Sequence, residues 1–368
     1  MRYPEIAALL LFLIVFPVSG QVNSGGSVSD GDLYFNFRNT NFVRNNEYSN
    51  PIIEGYTLLG YFIEPELVYR PVGKAEIRLG AHLLSYSGTN KFSVAKPVFS
   101  TSWHFSENTR FTIGSLSGSD EHLMYDPHFN SERIYNAFSE DGLQLVTSNK
   151  HIFSDTWLRW ENYIFKGDSE REIFTAGESF RYISPEISGL ITLEVPVQVQ
   201  VKHFGGQISD YPEQVETYLN LAAGGRVRVA LNRTKNISAG AESIFFMGNC
   251  ITDNAPSGIG YGNAGWHKLF FSSRKIELEA GYWRSQDYYA PDGNFIFGSV
   301  SDRYDNLIIP ERKIITGSLN IKLPHSDFFE FFFGFDGYYD TDLKRFDNAM
   351  TLHLKLDKLI KIASLRKR

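Results

Sequence analysis

Charged side chains of both signs recur at alternate positions along this 368-residue chain. Glu66, Arg78, Arg159, Glu161, Glu194, Lys202, Arg226, Arg228 and Glu330 each belong to a stretch in which polar and apolar residues alternate. Charges lining a water-filled tube sort solutes by sign and size, so these nine residues are candidate lumen and selectivity residues. The same charges, if ion-paired, would close the tube instead. Arg226 and Arg228, placed near Glu194, would suit acidic sugars or other anions.

Other chemistry is thinly represented. His122, Asp126 and His128 share the longest loop, 119–140, but no fixed scaffold for a metal is visible there. Asp287, Asp292, Asp302 and Asp305 lie in or beside segment 289–308 and offer oxygen ligands without EF-hand spacing, as a solvated acidic loop does. The single Cys250 follows Met247-Gly248-Asn249 and has no ligand partner at metal spacing. The chain contains no G-x-S-x-G, and no serine can be matched with His82, His104 or His353. No catalytic residue, metal or cofactor is therefore expected, and the chain is not expected to be an enzyme. The run Trp157-Leu158-Arg159-Trp160-Glu161-Asn162-Tyr163 suits either a sugar-binding track or an interfacial aromatic girdle, the girdle being preferred.

The elements that would position these charges have a period of two. From Ile191 to Val201 every odd residue is aliphatic, while Glu194, Gln198, Gln200 and Lys202 occupy even positions. Such alternation is a strand with one apolar and one polar face. Sixteen such stretches are predicted, near 33–42, 54–70, 75–87, 92–106, 110–118, 141–149, 154–165, 173–184, 190–204, 215–231, 236–248, 263–273, 275–288, 309–323, 328–340 and 348–358. From the second strand on, every other connection is tight, as at Pro71–Lys74, Asn149–His151 and Asn232–Lys235, while most of the others are long. Sorting of turns and loops to opposite ends marks an antiparallel transmembrane β-barrel of about sixteen strands, with turns in the periplasm and loops outside. An Arg or Lys aimed at mid-bilayer lipid costs roughly 2–4 kcal/mol, which puts the charges inside. Tyr69, Trp103, Trp160, Tyr163, Tyr182, Tyr282, Trp283, Tyr338 and Tyr339, near strand ends, are girdle candidates.

Composition agrees. Aromatics make up 15% of the chain while the mean hydropathy is only −0.24, a pairing that alternating faces reconcile. A net charge of −6 argues against a nucleic-acid partner. Residues 1–20 have the short apolar core and small-residue end of a secretory signal peptide. A polar leader follows over 21–32, the barrel over 33–358, and a basic periplasmic tail over 359–368.

The stretch Asn45-Asn46-Glu47-Tyr48-Ser49-Asn50-Pro51-Ile52-Ile53-Glu54-Gly55-Tyr56-Thr57-Leu58-Leu59-Gly60-Tyr61-Phe62 resembles the opening of uncharacterised porin-like outer-membrane barrels from Bacteroidota. The run Trp157–Phe165 followed by Gly167-Asp168 resembles them too. The resemblance implies the outer membrane of a Gram-negative bacterium and no named substrate. The function expected from the sequence is passive diffusion of small polar solutes through a porin-like channel. The alternatives are a non-conducting barrel of a cell-surface complex and a barrel enzyme acting on lipid or glycan. Expected partners are outer-membrane lipid, small polar solutes, and a homo-oligomer or surface-complex partner.

Overall fold

In a computed structural model, the structure describes residues 29–116, 122–206, 208, 210–212, 214–252, 255, 257–326 and 329–365. The expected signal peptide over 1–20 and most of the expected polar leader lie outside these residues. Sixteen strands form: β1 (Asp32–Glu47), β2 (Thr57–Val72), β3 (Ala75–Tyr86), β4 (Val94–Ser106), β5 (Thr109–Ser115), β6 (Asp141–Ser148), β7 (Ile152–Asn162), β8 (Glu172–Ile183), β9 (Ile191–Gly205), β10 (Glu216–Asn232), β11 (Ile237–Cys250), β12 (Tyr261–Ser272), β13 (Ile276–Gln286), β14 (Glu311–Ser326), β15 (Phe329–Asp340) and β16 (Arg345–Ser364). Each pairs antiparallel with its sequence neighbours, and β16 returns to β1 to close the barrel. Closure removes both free edges, so every strand finds backbone partners on both sides, as a lipid environment demands. The barrel and its sixteen strands match the sequence expectation.

The alternation sets which face meets lipid. On β9 the odd residues point out, with Leu193 and Val195 exposed, while Glu194, Gln198, Gln200 and Lys202 are buried inside. On β13 and β14 the outward pairs Leu278–Leu319, Ala280–Gly317 and Tyr282–Ile315 form an apolar band. Trp103 and Tyr182 are exposed toward the tight-turn end, and Trp160, Tyr163, Tyr282 and Tyr339 toward the other, as expected for two girdles. Trp283 and Tyr338 are not girdle residues. They are 0% and 7% exposed and face inward, because an aromatic at an odd offset along a strand joins the lumen face whatever its height.

Two strands run further than expected. β1 reaches Glu47, and β16 reaches Ser364. Segment 359–364 is therefore part of the wall rather than a free tail, paired with the start of β1 as far as Asp32↔Ser364. Lys361 and Ser364 both bond to the Asp32 carboxylate there.

The core is not in the wall but in the lumen, where three long connections fold inward. They are residues 48–56, 122–140 and 287–310. Ile52, His122, His128, Phe129, Tyr135, Tyr288, Ile296 and Phe297 are all buried by them. Tyr288, Ile296 and Phe297 pack with Phe246, Trp283 and Tyr338 of the wall in one apolar cluster. Ile134, Tyr135 and Phe138 pack with Phe42, Phe62 and Leu84 in a second. Glycine makes the close approach possible. A Cβ on Gly262 would lie 1.7 Å from the Asp287 carbonyl oxygen, and one on Gly248 2.5 Å from that of Tyr289.

Candidate functional site

The charges picked out in the sequence do face the lumen, and nearly all are paired. Glu66 accepts from Asn36 Nδ2 at 3.1 Å and from Arg38 at 3.2 Å, with Arg78 at 3.7 Å. Arg78 also reaches Glu76 at 3.0 Å. Glu194 takes Arg228 at 3.3 Å, and Arg181 lies 4.0 Å away. Arg226 turns instead to Glu242 at 4.0 Å, with its guanidinium 3.9 Å from the centre of the Phe270 ring. Glu330 stands opposite Lys355 in register and lines a cavity with Lys322 and Lys355.

Arg159, Glu161 and Lys202 converge with a residue from a loop. Asp292, 5% exposed, lies 3.4 Å from Arg159, 3.1 Å from Lys202 and 3.2 Å from Arg133. It also accepts from Thr175 Oγ1 at 2.9 Å. Glu161, in a bulge of β7, completes the cluster on Arg159 at 2.8 Å and on Lys202. The cationic surroundings outweigh burial and hold the Asp292 carboxyl well below the usual range. The sequence expectation of a solvated acidic loop is therefore wrong for Asp292, which anchors segment 287–310 inside the barrel.

Loop 122–140 is anchored in the same way. The His122 ring is hydrogen-bonded to Asp155 at 2.8 Å and Glu140 at 2.9 Å and stacks on Trp157 at 4.0 Å. Burial pulls its pKa down, but the two carboxylates prevail and raise it to about 9. The Glu140 carboxyl is lowered despite burial, by His122 and Arg159. His128 has no acid beside it, and burial drives it down to about 3, so it is neutral. Asp126 accepts instead from Ser131 N at 2.9 Å and Asn294 Nδ2 at 2.7 Å, joining the two loops. His122, Asp126 and His128 thus point to different partners. Among the described residues no three His, Cys, Asp or Glu side chains converge as a metal set.

The outcome is a plug. It crosses the lumen from Asp155 on β7 to His353 on β16, whose ring meets the Tyr135 hydroxyl at 2.6 Å. Smaller cavities remain beside it, of about 90 Å³ around Arg38, Glu66, Arg78 and Arg110 and about 370 Å³ around Lys322, Glu330 and Lys355. A sixteen-strand barrel is too wide for its own side chains to fill, and here loops fill it.

With the interior largely committed to packing, polar chemistry open to the surroundings lies at the long-loop end of the wall. One such place is a cleft of about 390 Å³ at the top of β1 and β2, lined by Asn46, Glu47, Glu54, Tyr56, Thr57 and Arg303. At its base Glu132, from the plug, accepts from Arg44 Nη2 at 2.8 Å, Asn46 Nδ2 at 2.9 Å and the Tyr56 hydroxyl. Burial and that carboxylate push the Tyr56 phenol upward, so it remains a donor. The cleft can hold a polar group but contains no histidine or thiol to act as a strong nucleophile or base. A second place is the row above the apolar band of β13 and β14. There Arg284 meets Glu311 at 2.9 Å, and Lys313 meets Glu311 at 3.3 Å and Asp342 at 3.4 Å. These charges begin one outward position above Tyr282, where the apolar band of β13 and β14 ends. Sequence alternation marked the lumen charges, but only the strand register brings this outer row together.

Comparison with solved structures supports the architecture. A BenF-like porin from Pseudomonas fluorescens Pf-5 superposes with a TM-score of 0.52 at 7% identity, over 89% of this chain and 99% of that one. The outer membrane protein OprD from Pseudomonas aeruginosa gives 0.51 at 11% identity, over 95% and 99%. The outer membrane protein opdK from Pseudomonas aeruginosa gives 0.50 at 8% identity, over 90% and 99%. At such identities the likeness is one of fold alone: a large closed antiparallel barrel of the kind found in outer-membrane proteins. No curated protein matches the chain. A family model, Lipid A 3'-O-deacylase-type, matches residues 25–365. That family is an enzyme family, which overturns the expectation drawn from the absence of a serine-hydrolase motif: catalytic groups on a barrel need share no local motif, only neighbouring strands. By a match over nearly its whole length, the chain belongs to the lipid A 3'-O-deacylase-type family.

Proposed function

We propose that this protein hydrolyses an ester-linked acyl chain of a lipid A-type glycolipid, working from the outer surface of the barrel on the outer leaflet. The observation that carries the reading is the closed lumen. Asp292, His122 and Glu132 lock loops 287–310 and 122–140 onto the wall by buried ion pairs, so solvent-facing polar groups are left for the exterior, at headgroup height. Membership in a lipid A deacylase-type family agrees. Export through the signal peptide at 1–20, and a source among the Bacteroidota, complete the proposal.

The test is mass spectrometry of lipid A from Gram-negative cells that produce the folded barrel, against cells that do not. Loss of one 3'-O-linked acyl chain is the expected result. An unchanged lipid A profile, with purified folded protein also inactive on lipid A micelles, overturns the reading. Passive diffusion of small polar solutes is the second reading. The girth of sixteen strands and the cavities beside Arg78 and Lys355 favour it, and the plug opposes it. Steady conductance of the wild-type barrel in a planar bilayer would decide for it.

A further inference from the structure

A transmembrane wall turns one face of every strand to hydrocarbon, where an ionisable side chain is rare and marks a function by default. Glu178 is such a side chain. On β8 Thr175, Gly177 and Ser179 are buried in the interior, so Glu178 lies on the outer face. It stands midway between Phe174, which packs on Trp160 at 5.3 Å near the long-loop end, and Tyr182, exposed near the tight-turn end. Its outward neighbours in register are Thr156 and Val199. Ser154 Oγ donates to one carboxyl oxygen at 2.8 Å and Thr156 Oγ1 to the other. Among the described residues no cationic side chain pairs with it.

An imidazole stands elsewhere on the same face. His267 of β12 points outward opposite Ser243 of β11, whose Oγ lies 2.8 Å from His267 Nδ1. Phe245 and Met247 rise above Ser243 on this face, and Leu269 and Phe271 lie below His267, so the imidazole is also inside the apolar band. Its Nε2 is directed over Gly265, 3.5 Å from where a Cβ would stand, and has no hydrogen-bond partner among the described residues. In front of it Gly225, Ala241 and Gly281 leave an outward groove of about 600 Å³.

The two groups lie at matching depth. A register line that begins at Leu33, at the tight-turn end of β1, ends at Tyr261, at the long-loop end of β12. The strands tilt, so the line climbs the whole wall between β1 and β12. The line through Glu178 passes Val199, Leu221 and Met247 and reaches β12 at Asn263. Between β8 and β12 it has climbed about a third of the wall, which on β12 is the step from Asn263 back down to His267.

From this geometry we infer that the protein assembles in the membrane as a closed ring of copies, in which the Glu178 carboxyl of one copy meets His267 Nε2 of the next. Acid and base complement each other, at one depth, and the chain carries both. A foreign partner would need two unlike complements. The contact is favourable whether the proton sits on the carboxyl or on the imidazole, as a neutral hydrogen bond or an ion pair, and no water competes with it in hydrocarbon. The two patches are four strands apart among sixteen, so one copy can engage a neighbour through each at once. Unlike patches make a head-to-tail contact, and such contacts close into rings.

Other outward polar groups are served within one wall. His203 Nδ1 lies 2.9 Å from Thr217 Oγ1, and the Phe174 ring stacks on that imidazole at 4.9 Å. Asn41 Nδ2 donates to Asn39 Oδ1 at 2.7 Å, and Asn39 Nδ2 to the Phe62 carbonyl at 2.9 Å; both are uncharged amides. Thr217→Ala is therefore the matched control.

The experiment uses the full chain with Cys250→Ser, its free cysteine removed, co-produced as pairs of variants in the outer membrane of Gram-negative cells. Folding of each variant is checked by heat-modifiability. Val199→Cys beside Glu178 and Leu269→Cys beside His267 leave the two groups intact. A disulfide between copies is expected when these two variants are produced together and not when either is produced alone. Glu178→Gln or His267→Asn in the same chains should lower its yield at least about tenfold, and the exchange of Glu178→His with His267→Glu should restore it. Thr217→Ala should leave it unchanged. No disulfide between folded copies, or one that survives both Glu178→Gln and His267→Asn, overturns the inference. A disulfide between two Val199→Cys copies would mean a two-fold contact at the acid, and one to another protein alone would give the face to a different partner; either overturns it as well.

Discussion

Asp292→Asn should loosen the plug without unfolding the barrel. The carboxylate is buried among Arg159, Lys202 and Arg133 at 3.1–3.4 Å and accepts from Thr175 and Gln200. Removing one member of a buried ion pair typically costs 3–5 kcal/mol, because the partner charge stays buried. Arg159 keeps Glu140 at 2.6 Å and Glu161 at 2.8 Å, and Lys202 keeps Glu161. The low end, about 3 kcal/mol, is therefore the right magnitude, equivalent to roughly a hundredfold in the docked-to-undocked ratio. The wall is spared because its ladders do not involve residues 287–310. Hydrogen exchange read by mass spectrometry tests this directly. The amides of Asn130 and Asn294, which donate to the Asp292 and Asp126 carbonyls, should exchange roughly a hundredfold faster, while those of β9 and β10 should not change. Planar-bilayer recordings should then show brief openings absent from wild type. Unaltered exchange at Asn130 and Asn294 would refute the claim that this cluster holds the plug.

Plug docking should be strongest near pH 6.5. His122, raised from 6.5 to about 9, stabilises fully below pH 6.5 and loses that contribution as the pH climbs through 9, while His128, lowered from 6.5 to about 3, penalises the docked state increasingly as the pH falls from 6.5 toward 3. Fluorescence of Trp157, stacked on His122, should track the alkaline limb, and a pH-independent signal from 6 to 10 would count against it. Leu269→Arg, on the lipid face and 66% exposed, should cost about 2–4 kcal/mol and lower the heat-modifiable fraction on gels. Equal folding of the variant and wild type would show that the face is misassigned. Gly262→Val should push the Asp287 carbonyl away from β12 and destabilise the plug by about 1–3 kcal/mol, seen as faster proteolysis within 287–310. Wild-type resistance would mean that the approach is not tight.

The strands were legible because a transmembrane wall imposes one rule at every position. Ile191–Val201 obeys it without exception on the outer face, and so the strand, its faces and the inward placement of Glu194 and Lys202 could all be read. The end of β16 was not legible because Leu359-Ile360 puts two aliphatics in succession, which erases the period; its pairing with β1 decides that segment. The plug was illegible for a different reason. His122, Asp126 and Asp292 look like any polar loop residues until Asp155, Asn294 and Lys202 are brought to them across the lumen.

The plug also dictates an order of events. Tyr135 meets His353 across 218 positions of chain. Contacts of such long range form only after the intervening chain has been arranged. Loop 122–140 therefore cannot finish docking before β16 has entered the sheet and sealed against β1. The last plug contacts thus wait for closure of the wall, whereas those to Asp155 and Lys202 do not. A chain arrested before closure would therefore lack the Tyr135–His353 contact and leave that side of the plug unanchored.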